Sequence, residues 1–147
     1  MKFHVLLVED NEADVFLMEV ALEGVVPDLQ LHVVTTGPDA LTFLNRRAPH
    51  GDAPTPHLVL LDGSTPCMTA AEVLTDVRQC WSTADLPVVV FSGSSSEADI
   101  QRALEAGANG YVTKPVGLDE YTRAVQHTLN TWYAHALTTQ ASDHRVA

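Results

Sequence analysis

Two rhythms of apolar residues run through this chain. Unbroken runs such as Val5-Leu6-Leu7-Val8 and Leu58-Val59-Leu60-Leu61 lack polar alternation. They read as short strands buried on both faces. Between them, apolar residues recur every three or four positions, as in Val15, Met18, Leu22 and Val25. That spacing predicts a helix, with Asn11 as its N-cap and Gly24 and Pro27 as its stop. A second strand is predicted over Leu31–Thr35. Thr36-Gly37-Pro38 opens a second helix, whose buried stripe is Ala40, Leu41 and Leu44. The loop from Arg46 to Pro56 holds three prolines and a glycine and reads as a surface connection.

The alternation continues to the end of the chain. Strand three ends at Asp62, and Ala71–Gln79 is helical with Val73, Leu74 and Val77 inward. Leu86–Phe91 is strand four. Ser96–Glu105 is a helix that Gly107 terminates, and Gly110–Thr113 is a short fifth strand. A last helix runs from about Leu118 past Trp132, leaving Thr138–Ala147 as a polar tail expected to fray. Strands and helices in strict alternation imply a doubly wound α/β domain with a parallel sheet. The expected architecture is flavodoxin-like, five strands in the order 2-1-3-4-5 with five flanking helices. Residues 1–137 would form the domain and 138–147 the tail.

Composition narrows the class. At 147 residues the chain is long enough for one domain with a real core, and 46% hydrophobic residues suits a soluble protein. No apolar run approaches the roughly 20 residues that span a bilayer. The opening Met1-Lys2-Phe3-His4 leads straight into a strand rather than into a secretory leader. A cytoplasmic protein is expected. Eight basic residues against 19 acidic ones give a net charge of −11, which argues against nucleic-acid binding and against docking on anionic membranes. Cys67 and Cys80 form no CxxC pair, and the seven histidines show no zinc spacing.

The chemistry lies at the strand ends. Strand one ends in Glu9-Asp10 and strand three in Asp62. In the expected order these strands are neighbours flanking the topological switch point, where open α/β sheets bind ligands. Two carboxylates about 4 Å apart repel by roughly 4 kcal/mol at an effective dielectric of about 20. A cation relieves that repulsion, and Mg²⁺ suits a few carboxylates with retained waters. Glu9, Asp10, Asp62 and the backbone carbonyl of Ser64 are the candidate ligands. Strand four delivers Ser92 to the same edge, followed by Gly93, and Ser96 with Asp99 suits the next N-cap. Strand five ends in Lys114-Pro115. The lysine can meet a phosphoryl oxygen as a point charge, and the proline fixes the backbone and is a candidate for a cis bond.

These residues carry a resemblance. Glu9-Asp10, Asp62, Ser92 and Lys114-Pro115, with LLVEDNEADVFLMEVAL and AGANGYVTKP, resemble the response-regulator receiver domain of two-component signalling over about Lys2–Asn130. VEDNEADVFLMEVAL, the long loop before strand three and the extended last helix are most similar to the stand-alone regulators paired with phytochrome-type histidine kinases. The resemblance implies that Asp62 accepts a phosphoryl group from a kinase phosphohistidine while Glu9 and Asp10 hold Mg²⁺. It implies that Ser92 and Lys114 bind phosphoryl oxygens and that Tyr111 changes rotamer with Ser92. The protein would act as a signalling switch, with self-phosphorylation from a phosphodonor and slow self-dephosphorylation as its only chemistry. One departure stands out. The family has proline four residues after the acceptor and glycine eight after it. Pro66 fits, but Ala70 replaces the glycine and puts that loop's geometry in doubt. Ser64 and Ser94 flank the path of an attacking water. Neither is an acid or an amide, so partners are expected to set the phosphoryl lifetime.

Two rival readings differ in class. An aspartate-nucleophile phosphatase needs a second acid two residues after the nucleophile, and that position is Ser64. A phosphorylation-independent binding module would be expected to have lost an acid, the acceptor or the lysine, and all are present. One helix and a tail follow the last strand, so output is expected through protein contact or a phosphorelay. Trp132, Tyr133 and Leu137 are expected to lie beyond the sheet. They suggest a homodimer through the fourth and fifth helices and strand five.

Overall fold

In a computed structural model, which describes residues 1–146 with side chains through Thr139, the chain forms five strands and five helices in strict alternation. The strands are β1 (Phe3–Val8), β2 (Leu29–Val34), β3 (Leu58–Asp62), β4 (Val88–Ser92) and β5 (Gly110–Thr113). The helices are α1 (Glu12–Leu22), α2 (Gly37–Leu44), α3 (Ala70–Val77), α4 (Glu97–Glu105) and α5 (Leu118–Val146). The sheet is wholly parallel, as the alternation requires, and its strand order is β2-β1-β3-β4-β5.

The apolar runs are continuous because both sheet faces are covered. Every residue of β3 and β4 is buried. On one face Val5, Leu7, Leu58, Leu60, Val89 and Phe91 pack with Met18 and Leu22 of α1 and with Tyr121, Val125 and Leu129 of α5. On the other, Leu6, Val8, Val59, Leu61, Val88 and Val90 pack with α2, α3 and Ala103 of α4. β2 is an edge strand with mostly half-exposed residues, and that is why its sequence reads least clearly.

The structure differs from the sequence expectations in several places. β2 begins at Leu29, two residues early, and β4 begins at Val88, two residues late. Ala70 is unstrained. Thr69 is the N-cap of α3 and forms a reciprocal capping box with Glu72, so Ala70 is simply the first helical residue. The positive φ in that loop falls on Cys67 instead. The Lys114–Pro115 bond is trans, and the one cis bond among the described residues is Ala48–Pro49. Trp132 and Tyr133 do have a core to enter. Both pack against the first core, and the Tyr133 ring meets Phe3 edge-on at 5.2 Å. Leu118, the first residue of α5, is 63% exposed. The segment after Thr138, expected to fray, continues α5 to Val146, since no glycine or proline interrupts it. Ala147 lies outside the described residues.

Candidate functional site

The C-terminal ends of β1, β3, β4 and β5 meet at one edge of the sheet. Val8 pairs with Leu61 and Asp62 with Phe91, so Glu9, Asp10 and Asp62 arrive side by side. One carboxylate oxygen from each lies within 4.8 Å of the others. Glu9 is 4% exposed and Asp62 8%, while Asp10 is exposed. Among the described residues this is the one group of three metal-ligating side chains that converges. Three hard oxygen donors, two of them withdrawn from water, form the kind of donor set that Mg²⁺ takes. Burial pushes the Glu9 carboxyl above its ordinary range, with the neighbouring Asp62 adding to the shift and the Asn11 backbone N–H and Lys114 opposing it. A cation here would relieve that strain on the charged form.

Lys114 closes the group. Its Nζ is 3.1 Å from Asp62 Oδ1, 3.3 Å from Glu9 Oε2 and 3.6 Å from Asp14 Oδ2. The last residue of β4 helps place it, since the Lys114 N–H donates to the Ser92 carbonyl at 2.7 Å. Burial alone would lower the ammonium, but Asp62, Glu9 and Asp14 together hold it above its ordinary value. It is a fixed cation at the mouth of an acidic pocket.

Ser92 is buried on the side facing α4, and its Oγ accepts the Ser94 N–H at 3.1 Å. Gly63, which follows Asp62, makes room for it. A Cβ at position 63 would fall 2.5 Å from Ser92 Oγ. Behind Ser92 a cleft of about 270 Å³ is lined by Ser64, Ser94, Asp99, Arg102 and Tyr111. Tyr111 is half-buried and donates its hydroxyl to the Ser94 carbonyl at 2.9 Å. Ser94 Oγ in turn donates to Asp99 Oδ2 at 2.6 Å. Ser64 is exposed at the rim of the same cleft.

The fold thus brings together Glu9, Asp10, Asp62 and Lys114 around one point, with Ser92, Ser94, Ser64 and Tyr111 on its α4 side. Sequence reasoning missed Asp14. It sits in the first turn of α1, where an acid is unremarkable because it complements the helix dipole. It also missed the link from Ser94 to Asp99, a five-residue contact that needs the loop's fold.

Known proteins give the arrangement its relatives. The family model for the response regulator receiver domain matches residues 5–126. Response regulator Rcp1 of Synechocystis is 33% identical over 128 residues, covering 87% of each chain. The probable methanogenesis regulatory protein FilR2 of Methanothrix harundinacea is 32% identical over 88% of this chain and 83% of its own. Among solved structures, the phosphorylated cyanobacterial phytochrome response regulator RcpA superimposes with a TM-score of 0.84 at 30% identity, covering 90% of this chain and 95% of its own. The Mn²⁺-bound form of Rcp1 gives 0.80 at 32% identity over 88% and 94%.

Proposed function

The chain belongs to the response regulator receiver family, and from that premise we propose that Asp62 is its phosphoacceptor. As a receiver it is a signalling protein rather than an enzyme with a turnover substrate, and histidine kinases are the partners of such domains. The observation that carries the assignment of Asp62 is its setting. It is a buried carboxylate between two further acids and a lysine, at the switch point of the sheet.

An Asp62 oxygen would form the new P–O bond as the P–N bond of a phosphohistidine breaks, and the departing imidazole nitrogen takes up a proton. Both reactants are anionic, so charge has to be neutralised before they meet. Glu9, Asp10, Asp62 and the Ser64 backbone carbonyl would hold Mg²⁺, which supplies that neutralisation when bound. Lys114 would pair with a second phosphoryl oxygen. Ser92 would hydrogen-bond a third, giving up the Ser94 N–H it now accepts, and Tyr111 would follow through its bond to the Ser94 carbonyl. With serine at positions 64 and 94, no acid or amide lies two residues past Asp62 or Ser92 to activate water.

Incubation with Mg²⁺ and a small phosphodonor tests this. Mass spectrometry should find one phosphate on the wild type and none on Asp62→Asn. Equal labelling of both proteins would overturn the assignment of Asp62, and labelling of neither would return the chain to a phosphorylation-independent binding module.

The partner side follows from exposed apolar residues near the acids. Phe16 and Val33, 64% and 40% exposed, share a hollow with Glu9 and Asp10. That surface suits a protein partner. Likeness to the phytochrome response regulator RcpA supports a phytochrome-type kinase, and we place that encounter in the cytoplasm. No helix among the described residues is long and apolar enough to cross a membrane. A homodimer through α4, β5 and α5 is supported by Leu104 and Leu137, 46% and 44% exposed on the two helices. Trp132 and Tyr133 now belong to the domain's own packing and do not support it. Sedimentation should show a dimer that Leu137→Asp weakens, and a monomeric wild type would end this reading.

A further inference from the structure

Lys114 has three anionic partners, and they are not equivalent. Glu9 and Asp62 belong to the carboxylate group that could hold a cation; Asp14 does not. Asp14 is also held in place. The Asn11 N–H donates to Glu9 Oε1 at 3.2 Å, and Asn11 Oδ1 accepts the Asp14 N–H at 3.1 Å. A closed ring therefore runs from Glu9 through Asn11 and Asp14 to the Lys114 ammonium and back to Glu9. The cap that starts α1 thus also sets Asp14 against Lys114, with the Asp14 side chain 40% exposed at the mouth of the site.

We propose that Asp14 is a positioning residue for Lys114, which holds the ammonium at the mouth of the metal-loaded site and competes for it with the incoming phosphoryl group. The inference rests on the reading of Asp62 as phosphoacceptor. Once a divalent cation takes up the charge of Glu9 and Asp62, Asp14 is the anion left to Lys114. A phosphoryl oxygen must then displace Asp14 before Lys114 can stabilise the charge on the transferring group. Asp14 acts as a brake: it keeps the lysine occupied until a phosphodonor is seated.

The test is the initial rate of phosphate uptake from phosphoramidate at saturating Mg²⁺, followed by intact mass. Asp14→Asn keeps the backbone N–H that Asn11 caps and loses only the charge. It should take up phosphate about two- to fivefold faster than wild type, the size of one partly exposed ion pair. Asp14→Glu should stay nearer the wild-type rate. Glu12→Gln is the control, because it removes a charge from the same turn of α1 at a residue with no bond to Lys114. If Asp14→Asn is no faster than wild type, or if Glu12→Gln accelerates equally, the inference fails while the acceptor reading stands. A wild type that takes up no phosphate overturns both.

Discussion

The buried residues at the sheet edge leave little freedom, and Gly63 shows why. Its hydrogen occupies the only space between the end of β3 and the Ser92 side chain. A methyl there would lie 2.6 Å from Ser92 Cβ as well as 2.5 Å from its Oγ. Ser92 cannot step aside cheaply, because it is the last residue of a fully buried strand. Gly63→Ala should cost about 1–3 kcal/mol of stability, the range for overpacking a filled site. Urea unfolding would measure it, and an unchanged midpoint would show that the end of β4 is looser than its packing suggests. The same substitution pushes on the hydroxyl proposed to bind phosphate, so a phosphodonor assay on the folded variant should also show slower uptake.

Between elements, Arg78 at the end of α3 serves as a clamp. Its Nε donates to the Gly107 carbonyl, its Nη1 to those of Trp81, Ser82 and Leu86, and its Nη2 to Asn109 Oδ1. Asn109 Oδ1 also accepts the Val88 N–H, so one cluster ties α3, the start of β4 and the approach to β5. Gly107, at φ +113°, lets the backbone turn where a Cβ would strike the Arg78 side chain. These bonds pair loop carbonyls with one side chain, and the Ser82 carbonyl also accepts the Leu86 N–H. Arg78→Lys keeps the charge but loses the fork of donors, and should cost about 2–3 kcal/mol by chemical denaturation. A loss under half of that would mean that water replaces the missing donors.

At the scale of the whole molecule, the end of the sheet opposite the acids carries a row of histidines. His57 Nδ1 accepts the His4 N–H at 3.0 Å, so that nitrogen must be unprotonated, and His4 Nδ1 lies 3.0 Å from His32 Nε2, so one proton serves both. Burial, with His4 adding to it, holds His57 and His32 below their ordinary value of 6.5. A depressed pKa in a base means that the unfolded chain binds more protons below that value. The stability these groups contribute is therefore complete above pH 6.5 and is lost as pH falls through their lowered values. The urea midpoint should drop between about pH 7 and pH 5, and His57→Gln should flatten that slope. A slope as steep in the variant as in the wild type would assign the acid sensitivity to other groups.

Much of this molecule was legible in one dimension. Short runs ending in Glu9-Asp10, Asp62, Ser92 and Lys114 declared the strands and the groups at their ends, because strand burial and strand ends are properties of short, local stretches. The edge strand β2 read less well, since every residue but Val34 is at least partly exposed and its period is blurred. The packing of Tyr133 on Phe3, the placement of Ala70 inside a capped helix and the histidine row depended on partners distant in sequence. So did the hold of Asp14 on Lys114, 100 positions away. Local chemistry chose which groups reach the sheet edge; only the tertiary structure decided which of them touch, because side-chain contacts between elements are set by how helices seat on the sheet.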